Sequence, residues 1–218
     1  MSQDKRYMIA KRVAQELEEG QIINLGVGIP TLVPQFLGNK QVFLQSENGL
    51  LGLGPSPKEE ELDIDLTNAG KDPVTAVSGA SYFSSADSFA LIRGGHIDVA
   101  VLGILEVDVT GEIANWAVPN QPILGVGGAM DLVVGAKKVI IAATLFDKNG
   151  KSKLVKKLTY KTSGIRKVDL FVSDYAVFRF TEESIKVVEI IKNITLEELS
   201  KKVKVKLEYE NTTLLNSR

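Results

Sequence analysis

Residues 4–38 read DKRYMIAKRVAQELEEGQIINLGVGIPTLVPQFLG, and the pattern changes three times along them. Met8, Ile9, Val13, Ala14 and Leu17 recur at helical spacing among charges, which predicts an amphipathic helix over 4–19, ended by Gly20. IINLGVG (22–28) is a short apolar run that breaks into glycines, as a strand does when it empties into a loop. Pro30 suits the first turn of a second helix over TLVPQFLG, where a missing N–H costs nothing. Helix, buried strand, glycine turn and helix, in that order, predict α/β architecture.

The remaining chain repeats the idea. VFLQ (42–45) reads as a strand ending in SENG, and PVTAVSG (73–79) as another, followed by the helical stretch SADSFALIRGG (85–95). DVAVLGI (98–104) is almost continuously apolar, so it reads as a strand buried on both faces. LEVDVTGEIANW (105–116) alternates on either side of Thr110-Gly111 and predicts a hairpin. AMDLVVGA (129–136) reads as a short helix and KVIIAATL (138–145) as a strand. DLFVSDYAVFRF (169–180) and IKVVEI (185–190) form a closing antiparallel section. Thr195 and Glu198 have capping-box spacing at the start of a last helix. Without a linker or an internal repeat, residues 1–218 are expected to form one domain, with 211–218 as a frayed tail.

Composition removes many chemistries. The 218 residues hold 26 Lys and Arg against 27 Asp and Glu, a formal net charge of -1, which disfavours a nucleic-acid or acidic-membrane binder. With no cysteine and one histidine, His96, thiolate metal sites, thiol nucleophiles and two-histidine mechanisms all drop out. No metal and no resident cofactor are expected. The N-terminal segment is charged throughout and no run of about 18 apolar residues occurs, so a cytoplasmic protein without a membrane span is expected.

Glycine-rich stretches follow several apolar runs: GVGIP (26–30), SENGLLGLGP (46–55), SGAS (78–81) and GVGGAM (125–130). In open α/β sheets ligands sit at the carboxyl ends of strands, so loops of this kind are candidate contacts. The dinucleotide fingerprint, the P-loop and the GxSxG elbow are all absent. Glu47 follows a strand directly and precedes Asn48-Gly49. By position it is either a solvated turn residue or a carboxylate held at a strand end, where it can attack an activated acyl group. His96, the serines 84, 85 and 88, Asn115-Trp116 and the lysine runs 151–157 and 201–206 read first as structural or solvated, the serines as caps.

SENGLLGLGP, NAGKDPVTAVSGASYFSSADSFALIRGGHIDVAVLG, GEIANWAVP and GVGGAMDLVVGAKKVI together resemble the B subunit of the family I coenzyme A transferases. The similarity runs from about Asn24 to Ala142 and more loosely to Phe180. It implies a three-layer single α/β domain with a mixed, largely parallel sheet. By this resemblance Glu47 is the nucleophile, passing through an acyl anhydride to a glutamyl–CoA thioester, and Gly128 supplies an oxyanion-hole N–H. Gly26, Gly28, Asn48 and Gly127 are then candidate contacts to the CoA or acyl group. Coenzyme A is a substrate and a transient covalent adduct. The implied partners are the family's A subunit, in an A2B2 assembly, and short-chain acyl or 3-oxoacyl carboxylates. One departure is local: AATLFDKNG stands where the family often carries a histidine in a stretch resembling MEHT. Two rival readings share the broad fold, a sugar-phosphate isomerase with a carboxylate base and a ligand sensor without turnover.

Overall fold

The computed structural model describes residues 3–68, 70–118 and 125–210, so 211–218 lie outside the described residues. Helix α1 (Gln3–Ala14) leads into β1 (Ile22–Leu25), a 3-10 helix (Pro30–Phe36), β2 (Phe43–Ser46) and β3 (Leu50–Leu53). After a short 3-10 turn (Glu59–Glu61) come β4 (Ala76–Tyr82), α2 (Ser85–Arg93) and β5 (Val99–Leu102). The hairpin β6 (Glu106–Asp108) and β7 (Ile113–Ala114) precedes α3 (Ala129–Gly135), β8 (Lys138–Ala142) and β9 (Leu154–Val155). The chain closes with β10 (Leu170–Val172), β11 (Ala176–Phe180), β12 (Ile185–Ile190), α4 (Leu196–Val203) and β13 (Glu208–Tyr209).

Ten strands form one sheet in the order β13-β12-β11-β10-β8-β5-β1-β2-β3-β4, and β7-β6-β9 form a small second sheet. The centre, from β2 through β1, β5 and β8 to β10, is parallel, while antiparallel hairpins extend it on both sides. Central strands alternate their side chains between two apolar layers, as the pleat requires. Val99, Val101, Ile140, Ala142, Leu170 and Val172 pack with Ile9, Val13 and Leu17 of the N-terminal segment. Ala100, Leu102, Val139, Ile141 and Phe171 face the other way, in one cluster with Ile92 of α2, Leu132 of α3 and Leu199 of α4. The result is a three-layer α/β fold with a mixed sheet, as the sequence predicts.

Local differences have local causes. The first helix stops at Ala14 rather than 19. Residues 30–36 wind as a 3-10 helix with Pro34 inside them, whose ring would clash with the carbonyl four residues back in an α-helix. LLGL (50–53), expected as glycine-rich loop, is strand β3, paired antiparallel with β2 and β4, and SGAS (78–81) lies within β4. β9 and β13 were not legible as strands, whereas the hairpin and the capping box are present as expected: Glu198 N–H donates to Thr195 Oγ1 at 3.2 Å and Thr195 N–H to Glu198 Oε2 at 2.9 Å. No helix among the described residues is long and apolar enough to cross a membrane.

Candidate active site

Strand β1 has β2 on one side and β5 on the other, so the strand order reverses direction there. Crevices in open α/β sheets form at such switch points, beyond the carboxyl ends of the strands. Here a cleft of about 820 Å³ opens at that place. It is lined by Gly26 and Val27 after β1, Ser46, Glu47 and Asn48 after β2, and residues 102–105 at the end of β5. Its other walls are Thr67 and Asn68, Ser85 and Phe89 of α2, Asn115 and Trp116, and the stretch 125–129 that opens α3.

Glu47 reaches this cleft because the β2–β3 hairpin turns sharply behind it. Gly49 N–H donates to the Ser46 carbonyl at 3.0 Å, and Phe83 N–H donates to the Gly49 carbonyl at 2.9 Å. Gly49 has φ +110°, and a Cβ there would lie 2.0 Å from the Phe83 carbonyl oxygen, so only glycine fits. Glu47 is half-buried and Asn48 is exposed, the latter reaching the Thr67 carbonyl at 3.5 Å.

Opposite Glu47 stands Gly128, at the N-cap of α3. A Cβ on Gly128 would lie 2.8 Å from Glu47 Cγ and 2.9 Å from Glu47 Oε1. The carboxylate therefore rests against bare backbone. Of the other candidates from sequence, Gly26, Asn48 and Gly127 line the same cleft; Gly28 is not among its lining residues, and its carbonyl accepts from Thr31 Oγ1 at 2.9 Å. Ser84 caps α2 through Asp87 N–H at 3.1 Å, while Ser88 is fully buried and caps nothing. Asn115 and Trp116 serve both hairpin and cleft: Asn115 Oδ1 accepts from Ser163 Oγ at 2.6 Å, and Trp116 Nε1 donates to the Thr162 carbonyl at 3.2 Å. His96 is exposed after α2, and neither it nor the two lysine runs line the cleft.

Sequence reasoning missed Glu106. It lies next to Leu105, a cleft residue, and its side chain is only 2% exposed. Its carboxylate accepts from Thr159 N–H (2.6 Å), Thr159 Oγ1 (2.7 Å) and Lys151 Nζ (2.9 Å), which fastens the segments on either side of β9 to β6. Burial opposes its charge, but the Lys151 and Thr159 donors outweigh burial and hold the carboxyl below its ordinary value of 4.5. A depressed folded-state pKa gives stability that is complete above that ordinary value and is lost as pH falls through the folded one. The stability gap between wild type and Glu106→Gln should therefore narrow in urea titrations taken from about pH 7 down to about pH 3. A gap that does not vary with pH would refute this role for the charge.

A second groove, of about 640 Å³, runs between the 3-10 helix and β2–β3 and includes Pro34, Leu37, Leu44 and Leu53. The charged side chain among its described residues, Lys40, is occupied by the Ala14 and Leu17 carbonyls at 3.0 and 2.6 Å, so the groove offers no reactive group there. Among the described residues no three His, Asp or Glu side chains come together as a metal site.

Comparison with known proteins adds an independent line. The coenzyme A transferase family model matches residues 6–202. The chain is 48% identical over 203 residues to the B subunit of the succinyl-CoA:3-ketoacid coenzyme A transferase of Helicobacter pylori, covering 93% of this chain and 98% of that protein. It is 50% identical over 197 residues to the B subunit of the 3-oxoadipate CoA-transferase of Pseudomonas putida, covering 90% and 92%. Among solved structures, the apoenzyme of the Escherichia coli O157:H7 acyl-CoA transferase YdiF superimposes with a TM-score of 0.75 at 21% identity. That match covers 97% of this chain and 43% of the YdiF chain, and at such identity it speaks for the fold alone.

Proposed function

The chain belongs to the coenzyme A transferase family, and from that membership we propose that Glu47 carries coenzyme A covalently during exchange between two carboxylic acids. The chain is the B subunit of such an enzyme; with a paired A subunit it serves CoA transfer among short-chain acyl and 3-oxoacid carboxylates. The single observation that carries the assignment of Glu47 is its carboxylate resting against the backbone of Gly128 in the switch-point cleft.

The chemistry suits these groups. The Glu47 carboxylate attacks the thioester carbonyl of the donor, forming a mixed anhydride and expelling CoA thiolate. The thiolate then attacks the glutamyl carbonyl, which breaks the anhydride, releases the donor carboxylate and leaves a glutamyl–CoA thioester. The acceptor carboxylate runs the same two steps in reverse and regenerates Glu47. No proton is consumed overall, so no histidine base is needed. One carboxylate replaces another on the same thiol, so the overall exchange is nearly level in free energy, and the anhydride, formed by expelling a more basic thiolate, is the high-energy species between its two ends. The barrier lies in the tetrahedral oxyanions. The Gly128 N–H is the donor proposed for them, and one such donor is worth about 2.7–4 kcal/mol. The CoA tail, far from the reacting bond, supplies remote binding energy.

Gly26, Asn48 and Gly127 are proposed to meet the CoA or acyl group. Gly28 is retained as a residue that shapes the β1 loop. A single domain over 1–218, an A2B2 assembly and a cytoplasmic setting complete the proposal. The test is to mix the chain and its A subunit with acetoacetyl-CoA and to map the adduct by intact mass and peptide analysis. A borohydride-sensitive CoA adduct on the peptide holding Glu47 is the expected result. Acyl-CoA binding with neither adduct nor exchange would replace the transferase reading of this site with that of a ligand sensor.

A further inference from the structure

Behind the Glu47 turn lies a connected set of polar side chains in an otherwise apolar place. Asn24 of β1, Gln45 of β2 and Ser88 of α2 are all buried, at 0, 4 and 0% exposure. Asn24 Nδ2 donates to Gln45 Oε1 at 2.8 Å and to the Gln45 carbonyl at 3.2 Å. Gln45 Nε2 donates to Ser88 Oγ at 2.7 Å and to the Ser46 carbonyl at 3.0 Å. Ser88 Oγ donates to that same Ser46 carbonyl at 3.4 Å. Counting the Gly49 N–H of the turn, the Ser46 carbonyl oxygen accepts from three donors.

That carbonyl belongs to the peptide joining Ser46 to Glu47, so its plane fixes the direction in which the Glu47 side chain leaves the backbone. Apolar residues between β1, β2 and α2 would pack there without needing partners. The network is moreover not self-sufficient, because Asn24 Oδ1 is buried and finds no donor among the described residues. A buried polar group left unpaired costs free energy and calls for an explanation, and geometry held for another purpose supplies one here. Resting on the Glu47 reading above, we propose that Gln45 is a positioning residue of the exchange reaction: with Asn24 and Ser88 it locks the Ser46–Glu47 peptide and so sets how the carboxylate meets the thioester. Exchange then depends on a side chain that touches no substrate.

The experiment is single-turnover formation of the glutamyl–CoA adduct in the complex with the A subunit, followed against acetoacetyl-CoA concentration. Gln45→Met keeps length and volume and removes both donors and the acceptor. Its saturating rate should fall about 10- to 100-fold, while the half-saturating concentration stays within about twofold, because misplacement of a reacting group slows the step without weakening binding. Ser88→Ala removes one hydroxyl from a helix that tolerates alanine well and should slow the step about 3- to 10-fold. The double variant should be no more than about twofold slower than Gln45→Met alone, since both act on one peptide. Saturating rates per folded site that match wild type, or an effect confined to the half-saturating concentration, would overturn the proposal. Should Gln45→Met fail to fold, Ser88→Ala decides by the same two criteria. Wild-type complex that exchanges acyl groups without any adduct on Glu47 would defeat the nucleophile reading instead, which keeps the two failures apart.

Discussion

Glu47→Ala, assayed with the A subunit present, is expected to lower exchange by about 10³-fold or more while leaving the fold intact. The two halves of this expectation come from different places. Activity goes because both covalent steps use the same carboxylate, and no second carboxylate is among the described residues that line the cleft. Stability stays because Glu47 is a half-buried turn residue in neither apolar cluster, and the turn itself is closed by backbone bonds at Ser46 and Gly49. Surface changes of that kind usually stay within about 0.5 kcal/mol. Retained activity above about one per cent of wild type, in protein with an unchanged urea midpoint, would remove Glu47 from the nucleophile role.

Gly128→Ala is the sharper test of geometry. The backbone at Gly128 has φ -81° and ψ 0°, a negative-φ conformation that L-residues adopt in type I turns, so alanine is sterically allowed there. The added methyl instead meets the Glu47 side chain, 2.8 Å from Cγ and 2.9 Å from Oε1. Real contacts of that kind are not tolerated, and the mobile partner is the glutamate, so the carboxylate must move away from its backbone neighbour. A displacement of about 1 Å at a reacting group costs about 10²-fold. Turnover should fall by that order, with a melting temperature changed by no more than a few degrees. Unchanged turnover would mean that Glu47 reacts from a position other than the one it occupies against Gly128.

Much of this was legible in the sequence, and the reasons differ by element. The central strands announced themselves because 98–104 and 138–145 are almost wholly apolar, which only burial on two faces explains. The capping box was legible because its chemistry is local. β9 was hidden because two residues carry no period, and its pairing with β6 is decided by chain 46 or more positions away. β3 was hidden because the glycines of 46–55 read as loop, although Leu50 and Leu51 find partners on both sides.

The site divides in the same way. Glu47 and Gly128 stood out through the resemblance of their surrounding motifs, which physical periodicity alone would not have supplied. Ser88 was grouped with capping serines for being near a helix start, yet it lies one helical turn before the buried Ile92 and therefore on the inward face. Asn24 and Gln45 offered a weaker signal of the same kind, a polar residue inside a short apolar strand. Glu106 gave none, since its partners Lys151 and Thr159 are distant in sequence.

The outer strand next to the hairpin of Glu47 has one further implication. β4 runs seven residues, AVSGASY, is largely exposed, and among the described residues has β3 as its neighbour on one side only. Nothing in it is charged and none of it is proline, the usual guards against sheet growth by docking of another chain. Its guard is shape. Gly79 takes φ +85°, and the pairing with β3 slips register between Leu51 and Leu53, so the strand bends rather than presenting a straight row of donors and acceptors. Straightening those few residues would present a flatter row of donors and acceptors to another chain, which gives the positive φ of Gly79 a part in keeping this edge unpaired.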